Sequence, residues 1–286
     1  MNARLFAMLT LLFGLHAIAH AATTPDYIRY AEDRHSARLE VAIRRFALPS
    51  GQTVDLIGVV HIADAAYYQQ LNERFAAYDS VLFELVGDPR ALTQHPPEKL
   101  AQSRPDNAVS FIQQAASKHL NLTFQLGAID YTARNMVHAD ATAAEFARMQ
   151  QERGENLLTM FVRAMQAQMN GTVSPAAMRE LDTLALIRIL MSKDSTTEFK
   201  KALARTFDQL ESVSLAMEGN DGSAILSGRN ELAVKKMKEV LANRKQRRIA
   251  VFYGGAHMPG IETILLTDLK AKISGEEWLA AWTMPK

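Results

Sequence analysis

An apolar run ends at a histidine in the segment Leu56-Ile57-Gly58-Val59-Val60-His61-Ile62-Ala63-Asp64. Residues 54–60 are mostly aliphatic with little polar alternation, which is typical of a strand buried on both faces. Asp64 is placed to cap a helix, because apolar residues recur at helical spacing over 65–77. His61 is therefore predicted in a strand-to-helix turn, where open α/β sheets bind their ligands.

The same arrangement recurs near the other end of the chain. An apolar stretch at 248–253 runs into Gly254-Gly255-Ala256-His257, which is followed by Pro259 and a helical pattern over 261–270. Each unit is a strand followed by Gly-x-x-His. We expect Gly58, Gly254 and Gly255 to let the backbone turn tightly and approach a bound substrate closely.

A third apolar run carries a carboxylate. Residues 80–86 are predicted to form a buried strand that contains Glu84. Burying an unpaired carboxylate is costly, so Glu84 is expected to meet a cation, a metal ion or water at the end of the sheet. Two alternatives stay open: the side chain faces solvent from an edge strand, or it pairs with an ordinary arginine.

The order of these patterns predicts an α/β fold, with a central, mostly β core flanked by helices. We assign residues 22–286 to a single domain with its core at about 38–131 and 229–286. The turn signal at 49–52 predicts a hairpin entering the sheet, and the helical pattern over about 141–228 predicts a large insertion between the two histidine units. His138 and Asp140 precede that insertion as further candidates, although capping of the next helix also explains Asp140.

Composition limits the classes of partner and site. The chain has 32 basic and 31 acidic residues, which gives no general electrostatic reason to bind nucleic acid. The basic stretch at 235–248 is interpreted as solvated helix surface. With no cysteine, the chain has neither disulfides nor thiolate ligands, so any metal site must use nitrogen and oxygen.

The first residues are typical of a secretory signal peptide. Arg4 precedes an apolar stretch over 5–18, and Ala19-His20-Ala21 fits a cleavage site. The apolar stretch is shorter than the roughly 20 residues that span a bilayer. We therefore predict removal of residues 1–21, no stable membrane span afterwards, and a periplasmic or secreted protein.

Two histidines and a glutamate at three strand ends are predicted to converge in one crevice. His61, His257 and Glu84 would form a ligand set for a divalent ion that keeps positions open for water and substrate. Neutral imidazoles and a carboxylate suit manganese, cobalt, zinc or iron, so ligand type alone does not identify the metal.

These residues also carry a resemblance to a known family. The chain resembles the TraB/PrgY/GumN family, which is related to the TIKI metalloproteases, in Gly58 to His61, Tyr68, Leu71, Asp79, Val81, Glu84, Gly254 to His257, Pro259 and Gly260. The helix beginning at Arg229 is similar to that family's arginine-bearing helix. The resemblance implies an α/β core with a helical insertion, and manganese- or cobalt-dependent peptide cleavage in TIKI-like members. Other members are associated with inhibition of peptide pheromones.

The residues and the resemblance together predict a metal-dependent hydrolase, a peptidase acting on peptides or a small exported substrate. His61 and His257 would hold the metal, and Glu84 would be a third ligand or the general base. Arg229 would stabilise an oxyanion or hold a substrate carboxylate. The alternative is a binding protein that sequesters a peptide or a metal-containing ligand such as haem without turnover.

Overall fold

The computed structural model describes residues 26–94, 122–156, 191–218 and 222–285, together with 120, 159, 163 and 189. The predicted α/β class is confirmed, since a mixed seven-stranded sheet is flanked by helices. The expected signal peptide at 1–21 lies outside the described residues, as does much of the expected helical insertion at 141–228. Within the described residues, no helix combines the length and apolarity needed to cross a membrane.

Nine strands are present in the described chain. They are β1 Ile28–Glu32, β2 Ser36–Ala47, β3 Thr53–Val59, β4 Ile62–Ala63, β5 Ser80–Phe83, β6 Thr123–Phe124, β7 Met136–His138, β8 Arg248–Gly254 and β9 Lys272–Pro285. The large sheet has the order β1-β2-β3-β8-β5-β7, with β9 also paired to β2, and β4 pairs with β6 in a separate two-stranded ladder. The pairs β3–β8, β8–β5 and β5–β7 are parallel, whereas β1, β2 and β9 join antiparallel.

The described helices flank this sheet. They are α1 Ala65–Phe75, α2 Arg90–Gln94, α3 Gln125–Ala128, α4 Ala143–Glu152, α5 Ser195–Glu218, a π-helical turn Ala224–Gly228, α6 Arg229–Ala242, a 3-10 turn Gly255–His257, and α7 Met258–Thr267. One buried cluster packs α1 against sheet strands that include β9, and a second packs α6 and α7 against the sheet. The apolar residues of β3 and β8 are divided between the two clusters, so both faces of these strands are buried, which explains why the strands lack polar alternation.

The predicted hairpin is confirmed, and two other local predictions need correction. The hairpin at 49–52 joins β2 to β3, with Gly51 at φ +78°. Asp64 does occupy the N-cap position of α1, but its side chain caps nothing and instead accepts hydrogen bonds from Lys200 Nζ and the Thr283 amide. The sequence of residues 122–126 also predicts a short strand, but only Thr123–Phe124 form one, because Gln125 already begins α3.

Strand register sets where the site forms. Val59 pairs with Gly254, so the two Gly-x-x-His units leave the sheet side by side. Phe83 pairs with Phe252, and the Glu84 amide donates to the Phe252 oxygen, which places Glu84 at the same edge. Helix α5 packs against β1, β2, β9 and the 3-10 turn that carries the second histidine. A helix from the expected insertion therefore lies beside the site.

Candidate functional site

All four parallel strands end at one place. The residues that follow their carboxyl ends are His61 after β3, His257 after β8, Glu84 after β5 and Asp140 after β7. Parallel strands present these ends at one edge of the sheet, which is where α/β proteins place ligands. The polar residues that interrupted the apolar runs in the sequence are therefore neighbours in the fold.

Gly254 marks the point of convergence. A Cβ atom built on Gly254 would lie 3.2 Å from Glu84 Oε2, 3.7 Å from His61 Nε2 and 3.7 Å from His257 Cδ2. The predicted grouping of His61, Glu84 and His257 is thus present around the bare backbone of one glycine. Gly58 and Gly255 differ, because a Cβ at either would meet core residues of β1 and β2 or their flanks, namely Val41, Tyr27 and Ile28. Packing accounts for these two glycines.

Both oxygens of Glu84 are engaged. Its Oε2 accepts a 2.6 Å hydrogen bond from the Gly254 amide, and its Oε1 accepts one of 2.6 Å from Arg229 Nη2. The side chain is 10% exposed. Burial alone would raise the pKa of this carboxyl, but the charge and hydrogen bonding of His257, with the charges of Arg229 and His61, hold that pKa well below its usual range. Glu84 is therefore ionised at neutral pH.

Arg229 is held from behind by Asp140. Its Nε donates to Asp140 Oδ1 at 2.9 Å and its Nη2 to Oδ2 at 2.6 Å, while Nη1 lies 3.4 Å from His257 Nε2. Burial by itself lowers the pKa of the guanidinium, but the bonds and charges of Asp140 and Glu84 outweigh burial and raise it. Arg229 is a fixed positive charge whose Nη1 alone remains directed at the histidine side of the site.

Each histidine is bonded through Nδ1 to a side-chain amide. His61 Nδ1 lies 2.8 Å from Gln125 Oε1, and His257 Nδ1 lies 2.7 Å from Asn230 Oδ1. The two rings differ in access, because His61 is exposed whereas His257 is 4% exposed. The site therefore opens to solvent on the His61 side and is closed behind His257.

The charges of the cluster do not cancel. When His61 and His257 are neutral, Glu84 and Asp140 bring two negative charges against the single positive charge of Arg229, and these three side chains are almost completely withdrawn from water. A surplus negative charge at a buried site favours a bound cation or a protonated imidazole nearby. The cluster is thus electrostatically suited to a positive ligand beside Glu84.

The donor set fits a divalent ion by chemistry, although it is not already spaced around one. No group of three His, Asp or Glu side chains in the described part of the chain is arranged as a ligand set. Glu84 and His257 are instead drawn toward Arg229, with His257 Nε2 at 3.5 Å from Glu84 Oε1. Two imidazole nitrogens, one carboxylate and surplus negative charge are nevertheless what a nitrogen- and oxygen-preferring metal requires.

The two further candidates from the sequence, His138 and Asp140, have different roles in the structure. The His138 ring bonds through Nε2 to the Leu85 oxygen at 2.7 Å and packs on Phe83, which is a structural role. Asp140 belongs to the site cluster, and its interpretation as a helix cap was wrong: Thr142 caps α4, in a reciprocal capping box with Glu145.

The sequence did not predict that Gln125 and Asn230 contact the two histidines, or that Asp140 pairs with Arg229. Asn230 directly follows Arg229 in the sequence, and this adjacency was the available signal. Gln125 lay in a segment predicted only as a short strand.

Comparison with models of known families finds no match to this chain, and comparison with curated proteins finds none either. Function must therefore be argued from the site.

Proposed function

We propose that this protein is a metal-dependent hydrolase of the peptidase type, with a divalent ion held by His61 and His257 and with Glu84 as third ligand or general base. The observation that carries the proposal is the convergence of these three side chains on Gly254. The surplus negative charge of the Glu84, Arg229 and Asp140 cluster supports a cation at this point. The choice of peptides as substrates comes from the resemblance of the histidine motifs.

Each residue has a physical role in this proposal. A divalent ion bound here supplies Lewis acidity toward the scissile carbonyl and makes water a better nucleophile at neutral pH. The exposed His61 gives substrate access, while the buried His257 closes the back of the site. Glu84 is ionised and can therefore bind a cation, whereas its lowered pKa makes it a weak proton acceptor, which favours the ligand role over the general-base role. Arg229, fixed by Asp140, adds a positive charge that favours negative charge developing nearby.

Metal binding is the first test. Dialysed protein is titrated with Co²⁺ while visible absorption is recorded, and metal content is measured independently, for the wild type, His61→Ala and His257→Ala. His35→Ala is the matched control, since this exposed histidine lies in the β1–β2 turn and is not among the predicted ligands. We expect one ion per chain in the wild type and the control, and loss of binding in both site variants. Unchanged Co²⁺ binding by a folded His61→Ala, His257→Ala double variant would refute the site.

Hydrolysis is tested second, with a peptide library incubated with and without chelator. Cleavage that chelator abolishes and Co²⁺ restores supports the peptidase assignment. Stoichiometric metal or peptide binding without cleavage of any library member instead favours the binding protein that sequesters its ligand.

A further inference from the structure

We infer that Gln125 and Asn230 are positioning residues that hold His61 and His257 as Nδ1-protonated tautomers, with both Nε2 lone pairs directed into the site. In a neutral imidazole one nitrogen donates and the other accepts, so a partner that accepts from Nδ1 leaves Nε2 free to act as a ligand or base. The use of these lone pairs for metal rests on the proposed function. The tautomers themselves do not depend on it.

Gln125 reaches His61 because two short strands bring their segments together. In the β4–β6 ladder, Ile62 pairs with Phe124 and Ala63 with Thr123. This register aligns Gln125 with His61, and the backbone N–H of Gln125 donates to the backbone oxygen of His61 at 2.9 Å. The segments are thus joined by main chain before the side chains meet.

The amide of Gln125 has a defined orientation. Its side chain is buried, its Nε2 donates to the Tyr131 hydroxyl at 2.9 Å, and its Oε1 faces His61 Nδ1. An amide oxygen carries no hydrogen and only accepts, so the proton between it and the ring belongs to Nδ1.

Asn230, in the first turn of α6, contacts the ring of His257. Both side chains are buried, and Asn230 Oδ1 lies 2.7 Å from Nδ1. On the other side of the ring, Nε2 lies 3.4 Å from Arg229 Nη1, and a guanidinium has donors only. A proton on Nε2 would set two N–H groups against each other. Glu84 Oε1, at 3.5 Å, is at the limit of a hydrogen bond.

The space beside Asn230 is closed as well. A Cβ on Gly260 would lie 2.5 Å from Asn230 Nδ2, so a side chain at 260 would push the amide out of place. The glycine after Pro259 thus permits the orientation of a residue that is distant in sequence. Helices α3 and α6, which are distant in sequence, each place a side-chain amide oxygen next to the Nδ1 atom of one histidine. A neutral oxygen orients the ring without enlarging the surplus negative charge.

The tautomers are measured in metal-free protein by long-range ¹H–¹⁵N correlation of the imidazoles, at about pH 8 where unperturbed histidines are neutral. We expect Nδ1–H signatures for both rings in the wild type, and loss of that signature for one ring each in Gln125→Met and Asn230→Leu. Gln125→Glu and Asn230→Asp keep an acceptor oxygen and should restore it. Gln52→Met is the control, because Gln52 is a buried amide that donates to the Leu241 and Gln246 oxygens instead.

Cobalt affinity gives the second readout. Loss of a partner behind a ligating histidine typically weakens metal binding about 10–100-fold, which we expect for Gln125→Met and Asn230→Leu but not for Gln52→Met. Should an amide variant fail to fold, Tyr131→Phe and Gly260→Ala disturb the same amides from behind and should shift both readouts in the same direction.

The two proposals fail in different ways. Rings that are Nε2-protonated in the wild type, or that keep Nδ1–H signatures and Co²⁺ affinity after both amides are removed, would overturn the inference. Nδ1-protonated rings in a wild type that binds no Co²⁺ would support the inference and contradict the proposed function.

Discussion

Arg229 and Asp140 form a buried ion pair through two parallel hydrogen bonds, from Nε at 2.9 Å and from Nη2 at 2.6 Å. The Asp140 side chain is 0% exposed and the Arg229 side chain 9% exposed. Such a pair has a fixed geometry, because the planar guanidinium matches the carboxylate. It ties the end of β7 to the start of α6 and thereby fixes the charge that faces Glu84.

Replacing Asp140 by alanine should destabilise the fold strongly. The guanidinium of Arg229 would remain buried with only Glu84 as anionic partner, and removal of one member of a buried pair typically costs about 3–5 kcal/mol. The free energy of unfolding, measured by urea titration, checks this. Glu239→Gln removes an exposed ion pair with Lys236 and should leave the unfolding midpoint almost unchanged. Equal effects of the two substitutions would contradict the interpretation.

Glu84→Gln distinguishes the two roles left for this residue. The substitution keeps the shape of the side chain and removes the charge, and its single amide oxygen can accept from Arg229 or from the Gly254 amide but not from both. A general base would lose turnover while Co²⁺ binding persists, whereas a ligand would lose both. Co²⁺ titration and peptide cleavage by the same preparation separate these outcomes. Full turnover in Glu84→Gln would exclude the residue from the chemistry.

Gly254→Ala should impair the site more than the fold. The added methyl group would sit at the convergence point, 3.2 Å from Glu84 Oε2, and would displace the carboxylate or narrow the space between the histidines. We expect the Co²⁺ dissociation constant to rise at least about tenfold, while the midpoint of thermal unfolding shifts only slightly. Gly275→Ala is the matched control, since its nearest contact is Arg45 Cβ at 3.8 Å. Similar Co²⁺ affinities in both variants would contradict the assignment.

Stability should fall in acid partly through Glu84. Its pKa in the folded protein lies well below the usual value, so its contribution is complete above the unfolded-state pKa and is lost as pH falls through the folded-state pKa. The wild type should therefore lose stability below about pH 4.3, the ordinary glutamate value. Glu84→Gln should lose less over the same interval. Urea unfolding at several pH values from 7 to 3 measures both slopes, and parallel slopes would contradict this account.

The parts of the site that sequence could predict are those at strand ends. His61, Glu84 and His257 each interrupt or close an apolar run, and such a run has a detectable pattern because both of its faces are buried. The parallel order of β3, β8 and β5 then brings them together. The fold class followed from the same pattern, and the hairpin and the strands β3, β5 and β8 lie where the pattern predicts them, whereas β1, β7 and β9 were not predicted.

The supporting residues have no such pattern. Gln125 meets His61 through the pairing of two two-residue strands, which are too short to show a periodicity. Asp140 was interpreted as a cap because a helix follows it, and only the tertiary position of Arg229 shows its partner. An amide or a carboxylate that acts through a distant residue is determined by packing and register, which a single sequence does not display.

The position of β8 between β3 and β5 has a consequence for synthesis. The segments at 53–59 and 80–83 emerge early from the ribosome but share no edge until 248–254 is inserted between them. Such long-range parallel pairing is slow to form. A nascent chain that has not yet reached residue 254 therefore holds His61 without His257, and the candidate site cannot assemble in it.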